Sequence, residues 1–244
     1  MVTDAASDRV PGPPALLPPR ATADGTHRRL LEVALIAFGE RGFHGVSVRE
    51  IAGAAGIRAS SVYAHLESKE QLLFQLMLTG HEEHHDQLRL ALLESDAAPV
   101  EQVSRLTGAH VRFHATYPLL ARVSNRELAA LSAPSRQQVL DVRRHSEQLF
   151  VDVIERGVRL GVFDVAHPWL GLAAIGGMGI RVAEWWEQTG ADAGPGRPVE
   201  PVHFDVEEVA RAYALFAVRL LTGRSTADRP RSAATTRSSS RTRG

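Results

Sequence analysis

Two serine-led capping boxes, Ser47-Val48-Arg49-Glu50 and Ser68-Lys69-Glu70-Gln71, constrain this chain more than any other feature. In each, the serine hydroxyl can accept from the third backbone N–H of a new helix while Glu50 or Gln71 reaches back to the serine N–H, so four residues specify a helix start. The first box predicts a helix that turns Val48, Ile51, Ala52 and Ala55 inward and ends at Gly56, where a left-handed turn suits a residue with no side chain. The second opens a long helix through Leu72, Leu73, Phe74 and Leu76, expected over 68–95. Between them Ser60 to Leu66 reads as a short polar helix. Ahead of them Asp24 or Thr26 can cap a helix whose apolar face is Leu30, Ala34, Ala37 and Phe38, stopped at Gly42.

A short helix, a glycine-containing turn and a second short helix with a polar outer face is the helix-turn-helix arrangement, which lays its second helix in the DNA major groove. The segment from Leu30 to Leu73 resembles the DNA-binding domain of the TetR family. The resemblance rests on Phe38, Gly42-Phe43, Ser47 through Ala52, Ala55-Gly56, Val62-Tyr63 and Ser68-Lys69-Glu70. It implies that Tyr63 and Lys69 clamp phosphates at the two ends of the recognition helix. Ser60 and Ser61 face outward at the start of that helix, and Ser47 sits at a helix N-terminus whose free N–H groups suit a phosphate. The sequence departs from the family pattern at Arg58, Ala59, His65 and Glu67. The base preference is therefore its own, with Arg58, Ser60, Ser61 and His65 as expected contacts.

Beyond this segment, apolar residues keep helical spacing with no alternating strand and no repeat, so an all-α protein of about nine helices is expected. Residues 1–23, rich in Pro, Ala and Asp, and 224–244, rich in Arg, Ser and Thr, read as disordered tails. Between them lie a three-helix DNA-binding domain at 24–67 and a ligand and dimerisation domain of about six helices at 68–223. The resemblance implies that the last two long helices, expected over 166–189 and 204–222, pair two copies through a four-helix bundle. Gly171, Gly176, Gly177 and Gly179 in the first of them call for close helix approach, because glycine costs a helix about 1 kcal/mol relative to alanine.

The chain is 44% apolar, formally neutral and free of cysteine, so a globular core is available and thiolate chemistry is not. Its first residues lack the basic start and apolar run of a secretory signal, and no apolar stretch reaches the roughly 18 residues of a membrane span. The cytoplasm is the expected compartment, with no membrane partner.

His81-Glu82-Glu83-His84-His85 spells HExxH, the pattern that in zinc peptidases places two histidines one turn apart beside a glutamate base. A peptidase would leave the helix-turn-helix unexplained, and no glycine-spaced third histidine follows. The expectation is a polar face on the helix that joins the two domains. His110 and His114 are also one turn apart, so two histidine pairs could in principle meet, with metal sensing as the minor alternative. No enzyme activity, cofactor or metal is expected. Phe113, Tyr117, Phe150, Met178 and Trp185, with Arg181 as a central cation, suggest an apolar pocket with one anionic anchor. The stretch from His110 to Asp164 resembles the TetR subgroup of lipid and steroid catabolism repressors that respond to CoA thioesters. The expected function is a homodimeric repressor, released from a palindromic double-stranded DNA operator by a small apolar or acyl-CoA-like ligand, with an acyl-CoA or a carboxylated hydrophobe fitting the pocket described. A DNA-binding protein without a ligand is the alternative, distinguished by whether a continuous pocket exists.

Overall fold

The computed structural model describes residues 15–21, 25–58, 68–186 and 204–223. Among these residues the regular structure is helical throughout. The α-helices are α1 (Gly25–Arg41), α2 (Val48–Ala55), α3 (Lys69–Leu93), α4 (Pro99–Thr116), α5 (Pro118–Arg126), α6 (Ala133–Arg159), α7 (Pro168–Trp185) and α8 (Val206–Thr222). Short 3-10 turns occupy Pro19–Ala21 and Leu128–Ala130. The helix expected over 60–66, the loop at 190–201 and the tail at 224–244 lie outside the described residues.

Local chemistry sets the N-terminal boundaries. Ser47 Oγ accepts from Glu50 N at 3.3 Å, and Ser47 N donates to Glu50 Oε2 at 2.7 Å, closing the box. Hydrogen bonds from Ser47 and then from Arg41 hold the Glu50 carboxyl down at about 2. Helix α2 ends on Gly56, whose φ of 73° lies in the left-handed region. At the start of α3, Ser68 Oγ accepts from Gln71 N at 3.1 Å.

Leu30, Leu31, Leu35 and Phe38 of α1, Ile51 of α2, and Leu72, Leu73, Leu76 and Met77 of α3 are buried in one core. That core continues without a break into Phe113 and Tyr117 at the end of α4 and Leu120 in α5. Two close approaches key α5 into place: a Cβ on Gly39 would lie 2.5 Å from Leu119 Cδ1, and one on Gly80 would lie 3.1 Å from Leu120 Cδ2. The Arg126 guanidinium then donates to the carbonyls of Phe38 and Gly39 in the last turn of α1 at 3.0 and 2.9 Å.

A second cluster fills the space among α3, α4, α6, α7 and α8, with Leu88, Leu106, Phe150, Ile154, Leu172, Ile175 and Leu221 buried in it. Helix α8 lies along α4, where Arg112 grips Glu207 with two bonds of 2.6 and 3.0 Å and lowers the pKa of that carboxyl. Large apolar side chains are exposed on α7 and α8: Leu170 on the first, Leu215, Phe216 and Leu220 on the second. Among the described residues no helix is long and apolar enough to cross a membrane.

The expected N-terminal tail needs one correction. Residues 15–21 are docked, with Leu17 only 3% exposed, its carbonyl and that of Pro18 each accepting from Arg28 at 3.1 Å, and Arg20 paired with Asp86 of α3 at 2.8 Å. A single apolar pair, Leu16-Leu17, anchors a stretch whose composition otherwise reads as tail. Leu17→Ala should therefore lower the unfolding free energy by about 2 to 3 kcal/mol, as for other buried leucines. Urea denaturation checks this, and a variant as stable as the parent would mean that the segment contributes no core.

Candidate functional site

The surface expected to read DNA is described up to its edge. Ser47 is exposed at the N-terminus of α2, and Arg58 is exposed just past the turn. Ser60, Ser61, Tyr63 and His65 lie outside the described residues. Lys69 has a partner set that the sequence did not disclose: its Nζ donates to the carbonyls of Phe43 and Val46, both at 2.8 Å, and sits 4.2 Å from the centre of the Phe43 ring. Two of its three ammonium hydrogens thus tie the start of α3 to the turn before α2.

A cavity of about 330 Å³ opens among five helices. Helix α3 contributes Gly80, His81 and His84, and α4 contributes His110, Phe113 and His114. Ala121, Ser124 and Asn125 enter from α5, and Arg143, Ser146, Glu147 and Phe150 from α6. Trp169, Leu172, Ala173, Gly176, Gly177 and Ile180 form the α7 wall. Arg143 carries the positive charge on the lining, with its Nε donating to Glu147 Oε1 at 3.1 Å.

Two of the six expected ligand residues, Phe113 and Phe150, line this cavity, and four do not. The cavity-facing residues of α7 follow one helical stripe, and Arg181 is one step, about 100°, round from Ile180. Arg181 is exposed on the outer surface, so the cavity cation is Arg143 instead. Trp185 packs with Val182, Val209 and Tyr213 in a separate cluster, and Met178 packs against the α6–α8 core. Tyr117 is buried where α4 meets α5. The glycines of α7 also divide by role. Gly171 and Gly179 are close approaches, a Cβ there meeting Leu221 at 2.9 Å and His110 at 2.0 Å, whereas Gly176 and Gly177 have no atom within 4 Å of a Cβ and border the cavity.

The histidines also pair differently from the expectation. His84, not His81 or His85, meets the second pair: His84 Nε2 and His110 Nδ1 are 2.9 Å apart. His110 Nε2 faces the Gly176 carbonyl at 3.2 Å, and His114 Nδ1 faces the His110 carbonyl at 2.8 Å. His85 turns to Ser146 on α6. The segment read as a polar helix face is therefore partly the wall of a cavity. Burial, the largest cause in each case, pushes His81 and His110 down to about 4, and lowers His84 and His114 well below the ordinary histidine value, with mutual repulsion adding to it. A one-turn repeat of histidine was the only sequence signal for this cluster.

With this geometry in place, the relatives can be compared. Residues 30–76 match the family described as bacterial regulatory proteins, tetR family, and residues 96–195 match the tetracyclin repressor-like C-terminal domain. The HTH-type transcriptional repressor KstR2 of Mycobacterium tuberculosis is 31% identical over 137 residues, which cover 55% of this chain and 67% of that one. A tetR-family regulatory protein from Rhodococcus RHA1 superposes with a TM-score of 0.70 at 27% identity, over 81% of this chain and 97% of that one. AibR in complex with isovaleryl coenzyme A and operator DNA superposes with a TM-score of 0.65 at 21% identity, over 81% and 98% of the two chains, and shares the fold.

The buried histidines make folding sensitive to acid. Each is neutral in the folded chain with its pKa depressed below the unfolded 6.5, so their stabilising effect is complete above 6.5 and is lost as pH falls toward 4. Each adds up to about 1.4 kcal/mol per pH unit of slope in that window. Denaturation in a chelating buffer should show His81→Gln with a shallower slope than the parent between pH 6.5 and 4. Equal slopes would mean that His81 is already protonated in the folded state.

Proposed function

The chain belongs to the tetR family of bacterial regulatory proteins and is a DNA-binding transcriptional regulator, not an enzyme; from that premise we propose that it acts in the cytoplasm as a homodimeric repressor whose effector enters the five-helix cavity. The domain division follows the elements: a reading head at 24–67 and an effector and dimerisation unit at 68–223. Two copies join through the apolar outer faces of α7 and α8, which sets two reading heads on half-sites about one DNA turn apart. Ser47, Arg58, Ser60, Ser61, Tyr63 and His65 form the contact surface, while Lys69 holds the turn that presents it.

The observation that carries this reading is the double role of α5. Ala121, Ser124 and Asn125 face the cavity, while Leu119 packs into the notch at Gly39 and Arg126 caps α1. An effector that favours one position of α5 therefore shifts the reading head directly, and the long α3 follows because Leu120 packs against Gly80. A volume near 330 Å³ is at the low end for ligand pockets and suits an acyl group, with any coenzyme A part left outside. AibR, in complex with isovaleryl coenzyme A and operator DNA, holds a ligand of that kind. Arg143 supplies the anchor for a carboxylate or thioester oxygen, the role expected of Arg181 from sequence.

Operator binding measured across acyl-CoA thioesters and the matching free acids tests this and separates the two effector classes. Arg143→Ala should bind operator normally but require about ten- to hundred-fold more effector, the equivalent of about 1.5 to 3 kcal/mol for a charge-assisted hydrogen bond. Arg181→Ala should respond like the parent. If no member of the panel releases the operator, or if the Arg143 variant responds normally, the cavity is not the effector site.

Arg58→Ala should relax base preference at one symmetric pair of operator positions by about 1 to 3 kcal/mol, as when a guanidinium reads guanine. Selection from random oligonucleotides reads this out. A uniform loss over all sequences would assign Arg58 to the phosphate backbone instead.

A further inference from the structure

Three imidazoles from two helices converge on the cavity wall. One nitrogen each of His84, His110 and His114 lies within 4.8 Å of the other two. The hydrogen bonds decide which nitrogens can offer a lone pair. His110 Nε2 is set against the Gly176 carbonyl and His114 Nδ1 against the His110 carbonyl, and a carbonyl can only accept, so each of those nitrogens carries the hydrogen. In a neutral ring the lone pair is then on the other nitrogen, Nδ1 of His110 and Nε2 of His114. His84 Nε2 approaches that same His110 Nδ1 at 2.9 Å.

A histidine with its far N–H held by a backbone carbonyl has the outer-shell arrangement that fixes tautomer and ring direction in metal sites, and two of these three rings have it. The backbone around them makes room for this. A Cβ at position 179 would lie 2.0 Å from His110 Cδ2, so the ring occupies space that only glycine leaves open. Phe113 packs against the His84 ring at 4.9 Å and Phe150 against His110 at 6.1 Å, giving the group an apolar surround.

We propose that His84, His110 and His114 form a three-nitrogen site for a divalent transition ion, zinc foremost, with its fourth position open to the cavity. Three neutral imidazoles with one open position match the ligand preference of zinc, and tetrahedral nitrogens at about 2.0 to 2.1 Å from the ion would sit on the order of 3.3 Å apart. The 2.9 Å pair is already that close, and a nitrogen of the third ring lies within 4.8 Å of both. Burial keeps all three rings neutral near pH 7, so no proton has to be displaced from the ligand nitrogens of His110 and His114, while His84 exchanges its hydrogen from Nε2 to Nδ1. The site shares its cavity with the proposed effector, and metal titration reads it without effector or operator present.

The test is titration of tag-free, chelator-stripped full-length protein with Co2+, followed by competition with Zn2+. One cobalt per chain with the visible bands of a four-coordinate site, bleached by zinc, is the expected result. His84→Gln and His114→Gln should each weaken binding by more than the roughly ten- to hundred-fold that losing an outer-shell partner costs. Gly179→Ala, which displaces the His110 ring without removing a ligand, should weaken it too, with circular dichroism reporting whether each variant is folded. His85→Gln, whose ring turns to Ser146, should bind cobalt as the parent does. Cobalt that stays six-coordinate, or an affinity that neither His84→Gln nor His114→Gln changes, overturns the proposal.

Discussion

Among the described residues, the packing of α5 into two glycine notches ties the first helices to the walls of the cavity. Leu119 sits where a side chain on Gly39 would be, and Leu120 sits against Gly80. Because these are backbone-level approaches, α5 cannot slide along α1 or α3 without opening a void, and close-packed interiors resist that strongly. Arg126 adds a polar lock on the same joint, donating to the last carbonyls of α1. The core is accordingly continuous from Leu30 in α1 to Val139 in α6, and the two functional units of the fold are mechanically one body at this point.

The parts of this design that were legible in the sequence are the ones with local causes. A capping box acts over four residues, so Ser47 and Ser68 placed their helices correctly, and Gly56 ended α2 in the conformation its position called for. The all-helical fold followed from apolar spacing alone. The cavity was legible only in part, because choosing its wall means choosing a stripe on α7, and neighbouring stripes are both apolar there. The stripe through Met178, Arg181 and Trp185 pairs an aromatic with a cation, yet the cavity took the stripe through Leu172, Gly176 and Ile180. Arg143, whose role depends on how α6 faces α7, carries no local mark.

His84 and Leu17 went unrecognised for the same physical reason. His84 falls inside a run of charged and polar residues, so periodicity assigns it to solvent, and only α4 crossing α3 makes that face an interior one. Leu17, with Leu16 beside it, is an anchor in a proline-rich stretch whose average composition masks it. Lys69 shows the converse. Its motif was recognised, but a side chain long enough to reach a phosphate is also long enough to reach back to Phe43 and Val46, and spacing cannot tell the two apart.

Gly176 and Gly177 border the cavity with open space where a side chain would be, and neither takes part in the α5 joint. A single codon change at either position would alter the volume on offer to a guest molecule without touching the surface that faces DNA. A lineage carrying this scaffold could therefore change what it senses in steps of one methyl group while continuing to read the same operator. The two specificities are free to evolve on separate schedules.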